Sequence, residues 1–371
     1  MKILITGANG FIGKNLCACL EGRGYGGLLK YDMPANERLL EQYAAACDFV
    51  MHLAGVNRPA DEAGFEENHL FTARLLEALR ESPRRVPVLL ASSAQAALDN
   101  PYGRSKRKAE DLVFEYGRQT GAHVYVFRLP GVFGKWCAPN YNSVVATFCH
   151  NIARSLPVRV DDPAAEISLV YIDDVVRAFI DTTEEKALQQ EQYCRAEPVY
   201  RVTVGELAEM IQGFRDSRET LGVAAEDGLS RKLCSTYLSY LPEDAFSYEL
   251  RALKDDRGIF AECFKSASGG QISVNIAKPG ATKGGHWHQT KTEKIIVLKG
   301  TGVMRFQKLG TGKVLLYPVS SEKLEVVDIP PGYVHDVTNT GDDDLIMVIW
   351  ANQIFDPANP DTYPKKIEGL S

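Results

Sequence analysis

The chain opens on a short unbroken apolar run, Lys2–Thr6 (KILIT), the pattern of a parallel strand buried on both faces. The glycine-rich stretch GANGFIG follows, and the pattern then predicts a helix from about Lys14 to Glu21. A second strand is expected at Leu28–Tyr31 and a third within Asp48–Gly55 (DFVMHLAG). A fourth is expected within Val86–Ser93 (VPVLLASS), ending in two serines and followed by the helical stretch KRKAEDLVFEYGRQ. Strands alternating with helices predict an α/β unit with a doubly wound parallel sheet. After Lys232 the pattern changes. Leu233–Asp244 (LCSTYLSYLPED) is aromatic and rich in strand formers, and is expected to be an arm or linker. From about Ser247 onward, short strands broken by glycine and proline turns predict an all-β antiparallel sandwich or barrel. The expected domains are therefore residues 1–245 and 246–371.

Composition narrows the field. A length of 371 residues favours two domains, and 45% hydrophobic with 24% charged residues is an ordinary globular balance. The net charge is −6 with no basic run, so no nucleic-acid partner is expected and an anionic ligand must be met by local chemistry. No apolar stretch is long enough to insert in a membrane, and the N-terminus does not read as a signal peptide. The eight cysteines, Cys17, Cys19, Cys47, Cys137, Cys149, Cys194, Cys234 and Cys263, include no CxxC and are expected to be reduced thiols in a cytoplasmic protein.

The glycine stretch carries the first chemistry. Gly7, Gly10 and Gly13 stand between a strand and a helix, where they permit a tight turn, a close backbone approach to a pyrophosphate and close helix–strand packing. The helix N-terminus then faces the phosphates. Asp32, at the end of the second strand, is placed to accept from an adenosine ribose, which favours NAD over NADP. Arg38 is an alternative partner for a 2′-phosphate, and Asp32 capping a loop is the other reading. Tyr102 and Lys106 form YxxxK on one helix face, so the lysine charge stabilises a tyrosinate that exchanges a proton with a carbonyl oxygen.

These pieces, TGANGFIG, HLAG, the SS strand end, YGRSK, RLPGVFG and YIDD, resemble the extended short-chain dehydrogenase/reductases over roughly residues 1 to 240. The resemblance implies a Rossmann-type fold and a catalytic set of Ser93, Tyr102 and Lys106. It implies a nicotinamide cofactor held by Gly7, Asn9, Gly10, Phe11, Ile12, Gly13 and Asp32, by Leu53, Ala54 and Gly55, and by Tyr102 and Lys106. It also implies sugar-nucleotide contacts from Arg128, Asn140, Asn142 and Ser143. Only eight residues separate Ser93 from Tyr102, a shorter loop than most members carry.

The second domain carries HWHQTKTE, in which His286 and His288 sit two apart and point the same way on a strand, with Glu293 following. With Gly280, Gly300, Pro330, Gly332, His335 and Asn339, this resembles both motifs of the cupin family over roughly residues 246 to 355, although Leu324 stands where a glycine is usual. The resemblance implies a barrel holding a metal on His286, His288, Glu293 and His335. Three imidazoles and a carboxylate suit Zn2+, with Mn, Fe or Ni as alternatives. DDRGIFAE and Gln271–Asn275 resemble the dTDP-4-keto-6-deoxyhexose 3,5-epimerases. There a histidine removes a proton beside a 4-ketone; the matching His286 also fits the metal set, so Lys283, Tyr333 and Asp336 are rivals for proton transfer.

Across essentially the whole chain, HLAGVNRP, DNPYG, FGKWCAPNYNSV, STYLSYLP and FDPANPDTYP resemble a bifunctional enzyme family of capsular polysaccharide synthesis. The resemblance implies C3 epimerisation of a UDP-2-acetamido-2,6-dideoxy-4-hexulose in the cupin and C4 reduction by NADPH in the reductase domain, with NADH the alternative that Asp32 favours. A homodimer is expected from the resemblance and from the STYLSYLP arm. The rival readings are a reductase with a structural cupin, a 4-epimerase or dehydratase with a sensor cupin, and a non-catalytic redox-sensing module.

Overall fold

A computed structural model describes residues 1–33, 36–223 and 227–368. The chain divides into two compact units, residues 1–213 with 226–243, and residues 214–225 with 244–371. The described part of 214–225, expected in the first domain, thus joins the second. It does so by main-chain pairing: Val223 N–H donates to Lys265 O (2.9 Å) and Lys265 N–H to Leu221 O (2.8 Å).

In the first unit, β1 (Ile3–Thr6), β2 (Leu28–Tyr31), β3 (Phe49–His52), β4 (Val88–Ser93) and β5 (Val124–Leu129) run parallel in the order β2-β1-β3-β4-β5, and Tyr193–Cys194 and Gln189–Gln190 extend the sheet. The continuous apolar runs follow from this layering. Ile3 and Ile5 belong to the core on one face, with Leu16, Phe127 and Phe179, while Leu4 belongs to the core on the other, with Val50, Leu75 and Tyr116. A strand covered on both faces has no polar side to show. Strand order reverses at β1, whose neighbours are β2 and β3, so a ligand crevice opens beyond the carboxyl ends of β1 and β3. A second sheet combines Gly131–Phe133, Glu166–Tyr171 and Val199–Thr203.

Leu233–Asp244 is not an arm. A helix spans Gly228–Leu238, capped by the Asp227 side chain, which accepts from Ser230 N–H at 2.8 Å. Leu233, Tyr237 and Tyr240 recur at helical spacing and are buried; the Tyr240 hydroxyl donates to Cys137 O at 2.5 Å, and Arg154 donates to Tyr240 O at 2.8 Å. The strand formers are there to fill a helix–core contact. The segment is packed on its own unit, with Leu238 left at the surface.

The second unit is two antiparallel sheets. One orders Ala252–Asp255, Gly258–Ser266, Gly270–Ala277, Leu345–Ala351, Glu293–Lys299 and Val326–Ile329; the other orders Val314–Ser320, Thr301–Lys308, Tyr333–Asn339, Thr282–Trp287 and Tyr363–Pro364. Ala277, Ile295, Val297, Leu345 and Met347 from the first sheet share a core with Met304, Phe306, Val319 and Val337 from the second. No helix among the described residues is long and apolar enough to cross a membrane.

Tyr237 is 1% exposed. Tyr237→Ala is expected to lower the unfolding free energy by about 3–5 kcal/mol in chemical denaturation; a loss under about 0.5 kcal/mol would return this segment to an exposed arm.

Candidate active sites

The glycine loop is shaped by its surroundings. Gly7 has φ +73°, and a methyl there would lie 2.8 Å from Ala54 N, so the loop is pressed against the end of β3. A methyl on Gly13 would fall 2.1 Å from Gly7 O, which fixes the approach of α1 (Phe11–Gly22) to the turn. Asp32 lies across this loop, its carboxylate accepting Asn9 N–H at 3.1 and 3.0 Å. Arg38 is exposed on the helix Glu37–Ala46. His52 of HLAG is a fully enclosed strut rather than a ligand. Its Nδ1 meets Thr6 Oγ1 at 2.6 Å and its Nε2 meets Thr72 Oγ1 at 2.9 Å, and burial, then Lys106, holds it down to about 3.

Beside this crevice stands the helix Pro101–Thr120, started by Asn100, whose side chain accepts Gly103 N–H at 2.7 Å. Lys106 is buried and donates to Ala91 O at 2.9 Å, and a methyl on Gly55 would lie 3.6 Å from its Nζ. Burial lowers its pKa to about 8 while Glu110 pulls the other way. Burial raises the Tyr102 phenol, and a hydrogen bond from Ser93 partly reverses this. Tyr102 thus lies against Ser93, and Lys106, one turn along the same helix, reaches Ala91 O beside Gly55.

In the second unit, His286 pairs directly with His335 across adjacent strands, while Glu293 begins a strand of the facing sheet. Ligand atoms of His286, His288, Glu293 and His335 all lie within 4.8 Å of one another. Glu293 is 3.5 Å from His288 Nε2 and 3.7 Å from His335 Nε2. Burial, then His335 and His288, pushes His286 down to about 3, which leaves a neutral imidazole. His288 Nε2 is buried with no hydrogen-bond partner, as expected for a nitrogen whose lone pair is reserved for a cation. The residues present therefore fit a metal of the nitrogen–oxygen class.

The cluster opens on a cavity of about 730 Å³ lined by Lys283, Asp336, Gln271, Ser273, Asn275 and Phe260, among others. Lys283 and His286 are three apart and would face opposite ways on a regular strand. Gly284 (φ +95°) and Gly285 (φ +79°) form a bulge that turns both into the cavity, and a methyl on Gly284 would meet Asp336 Cα at 2.9 Å. Lys283 Nζ donates to Asp255 at 3.0 Å, and Arg305 holds Asp336 in a two-pronged pair at 2.7 and 2.5 Å.

Residues 3–193 match the NAD dependent epimerase/dehydratase family, and residues 253–363 match the polysaccharide biosynthesis C-terminal domain. The chain belongs to the NAD dependent epimerase/dehydratase family. It is 48% identical over 98% of both chains to a UDP-2-acetamido-2,6-beta-L-arabino-hexul-4-ose reductase of Pseudomonas aeruginosa. The capsular polysaccharide assembling protein CapF of Staphylococcus aureus superposes with a TM-score of 0.94 at 43% identity, over 99% of this chain and 100% of that one. A UDP-glucose 4-epimerase from Thermotoga maritima shares the fold over 65% of this chain and 98% of its own (TM-score 0.54, 20% identity).

Not every expected residue of the family's site stands free for a ligand. Arg128 is committed to Glu110, with contacts of 3.1, 3.1 and 2.6 Å, and lies over the Tyr193 ring at 4.1 Å. Ser143 caps the helix Val144–Ala153, accepting from Ala146 N–H at 3.3 Å. Asn140 and Asn142 are exposed, and Asn140 has φ +54°. Tyr333 lines a cleft of about 390 Å³ together with Phe306, Tyr317 and Asp328. Asn339 is used structurally, bonding Ala277 O and Asp343 O. Sequence reading missed three groups: Glu110, which also accepts from Ser92; Asn275, whose buried side-chain oxygen has no partner; and Asp361. The only local signal was Glu110 at i+4 from Lys106.

Glu110 is 1% exposed and serves Ser92 and Arg128 together. Glu110→Ala is expected to lower stability by about 3 kcal/mol, the low end for a broken buried pair since Arg128 keeps 27% exposure. An unchanged urea midpoint would show that the network contributes nothing to folding.

Proposed function

We propose that the chain is a bifunctional nucleotide-sugar enzyme of surface polysaccharide synthesis. The second unit, a cupin-type barrel, epimerises C3 of a UDP-2-acetamido-2,6-dideoxy-4-hexulose. The first reduces the C4 ketone with NADPH to a UDP-2-acetamido-2,6-dideoxy-talose, a precursor of UDP-N-acetyl-L-fucosamine. The observation that carries this reading is the presence, on one chain, of a Ser93–Tyr102–Lys106 set beside a nucleotide loop and a four-ligand cluster opening on a cavity with a lysine. The 4-keto reductase relative and CapF, similar along the whole length, support it.

In the reductase step, hydride from the nicotinamide goes to C4 while Tyr102 gives its proton to the carbonyl oxygen. Ser93 holds that oxygen, and the Lys106 ammonium favours the tyrosinate left behind. NADPH is the reductant the family resemblance supports; Asp32, facing the loop, favours NADH as the alternative.

In the epimerase step, His286, His288, Glu293 and His335 would hold a Zn2+ or similar ion, which supplies Lewis acidity at the 4-keto oxygen. With His286 committed to the cluster and Asp336 held by two bonds from Arg305, we assign C3 proton transfer to Lys283, which lines the cavity and whose Nζ is paired with the exposed Asp255. Asn275 offers its unpartnered side-chain oxygen to a polar substituent of the sugar.

The test is the UDP-2-acetamido-4-keto-6-deoxyhexose in D2O with the full chain, followed by NMR. Deuterium should enter at C3 without cofactor, and NADPH should then be consumed. Reduction without exchange would leave the second unit structural. His335→Ala should abolish exchange while NADPH binding persists. Reductase kcat/KM should fall as pH rises through about 8, because Lys106 loses its proton there; a flat profile to pH 10 would contradict that role.

A further inference from the structure

The tail segment carries one acid that the proposed chemistry does not use. Asp361, 8% exposed and with φ +41°, faces the loop that follows the strand Thr282–Trp287. Its carboxylate accepts the main-chain N–H groups of Gln289 (2.7 Å), Thr290 (2.8 Å) and Lys291 (2.7 Å), and the Thr290 hydroxyl (2.9 Å). Its main-chain carbonyl lies 2.7 Å from His288 Nδ1. A carbonyl only accepts, so Nδ1 carries the proton and Nε2 the lone pair. That Nε2 is the buried, unpartnered atom at the four-ligand cluster. Nearby contacts hold the segment in register: Tyr363 and Pro364 pair with Trp287 and His286, and the Tyr363 ring stacks on Trp287 at 4.7 Å.

We propose that Asp361 is a positioning residue for the metal: through both its carboxylate and its carbonyl it fixes the loop and the tautomer that present His288 Nε2 to the ion. The inference rests on the metal reading above. A plain loop anchor would need only the carboxylate. The carbonyl contact to the ligand's other ring nitrogen is the arrangement that orients metal-bound histidines in general.

The experiment compares the full chain with Asp361→Ala and Asp361→Asn. Each is stripped and titrated with Zn2+ against a chromophoric chelator, with thermal unfolding of the stripped protein and NADPH binding as folding controls. Asp361→Ala should bind Zn2+ about 10- to 100-fold more weakly, and Asp361→Asn, which keeps one acceptor oxygen, by less. Wild-type affinity in both variants overturns the proposal while leaving the metal reading intact. A wild-type chain that binds no Zn2+ overturns both. Nitrogen-15 histidine spectra of the stripped wild type give a readout independent of any variant's folding: His288 should be protonated at Nδ1, and protonation at Nε2 overturns the proposal.

Discussion

A carboxylate taken out of water must be surrounded by donors or cations, and that constraint organises both units. Glu110, one turn past Lys106 on the same helix, collects Ser92 and Arg128. Asp361 collects four donors from the His288 loop. Asp174 and Asp336, also buried, pair with Lys232 and Arg305. The partly buried Glu293 has different surroundings. Its near neighbours are imidazoles, with Lys291 Nζ at 3.7 Å, and His286 is held neutral. The buried acids are satisfied by protein donors and build scaffold, whereas Glu293 stands in a set of imidazoles that suits a cation.

Each site sits where its fold brings distant strands together. In the first unit the crevice lies where strand order reverses, so the glycine turn, the loop after β3 and the helix bearing Tyr102 and Lys106 meet there. In the second, ligands come from both sheets and from the loop between them, so the cluster depends on the sandwich being closed. The proposed reactions share one intermediate chemistry: a C3 proton is acidic only while the C4 ketone persists, and reduction ends that acidity. Joining the two on one chain keeps a labile keto sugar beside the step that fixes its stereochemistry.

Much of this was legible in local spacing. The unbroken apolar runs gave the buried strands, the glycines gave the turn, and Tyr102 and Lys106 reflect the period of their helix, whereas His286 is on a strand that ends at Trp287 and His288 lies just past it. What local spacing cannot carry was missed or misread. Leu233–Asp244 has strand-forming composition, yet Tyr237 and Tyr240 serve a helix packed on its own unit. The Gly284–Gly285 bulge changes which face Lys283 occupies, and period-two counting does not see bulges. Asp361 acts on Thr290 across 71 residues, a contact that exists only once the second unit has folded.

The most direct test of the proposed metal centre is X-ray absorption at the metal edge of the purified full chain. The account predicts one ion with nitrogen and oxygen neighbours only, at about 2.0–2.2 Å, with the multiple-scattering signature of three imidazoles. Sulfur at about 2.3 Å, or a chain that carries no ion after growth in zinc, would contradict it.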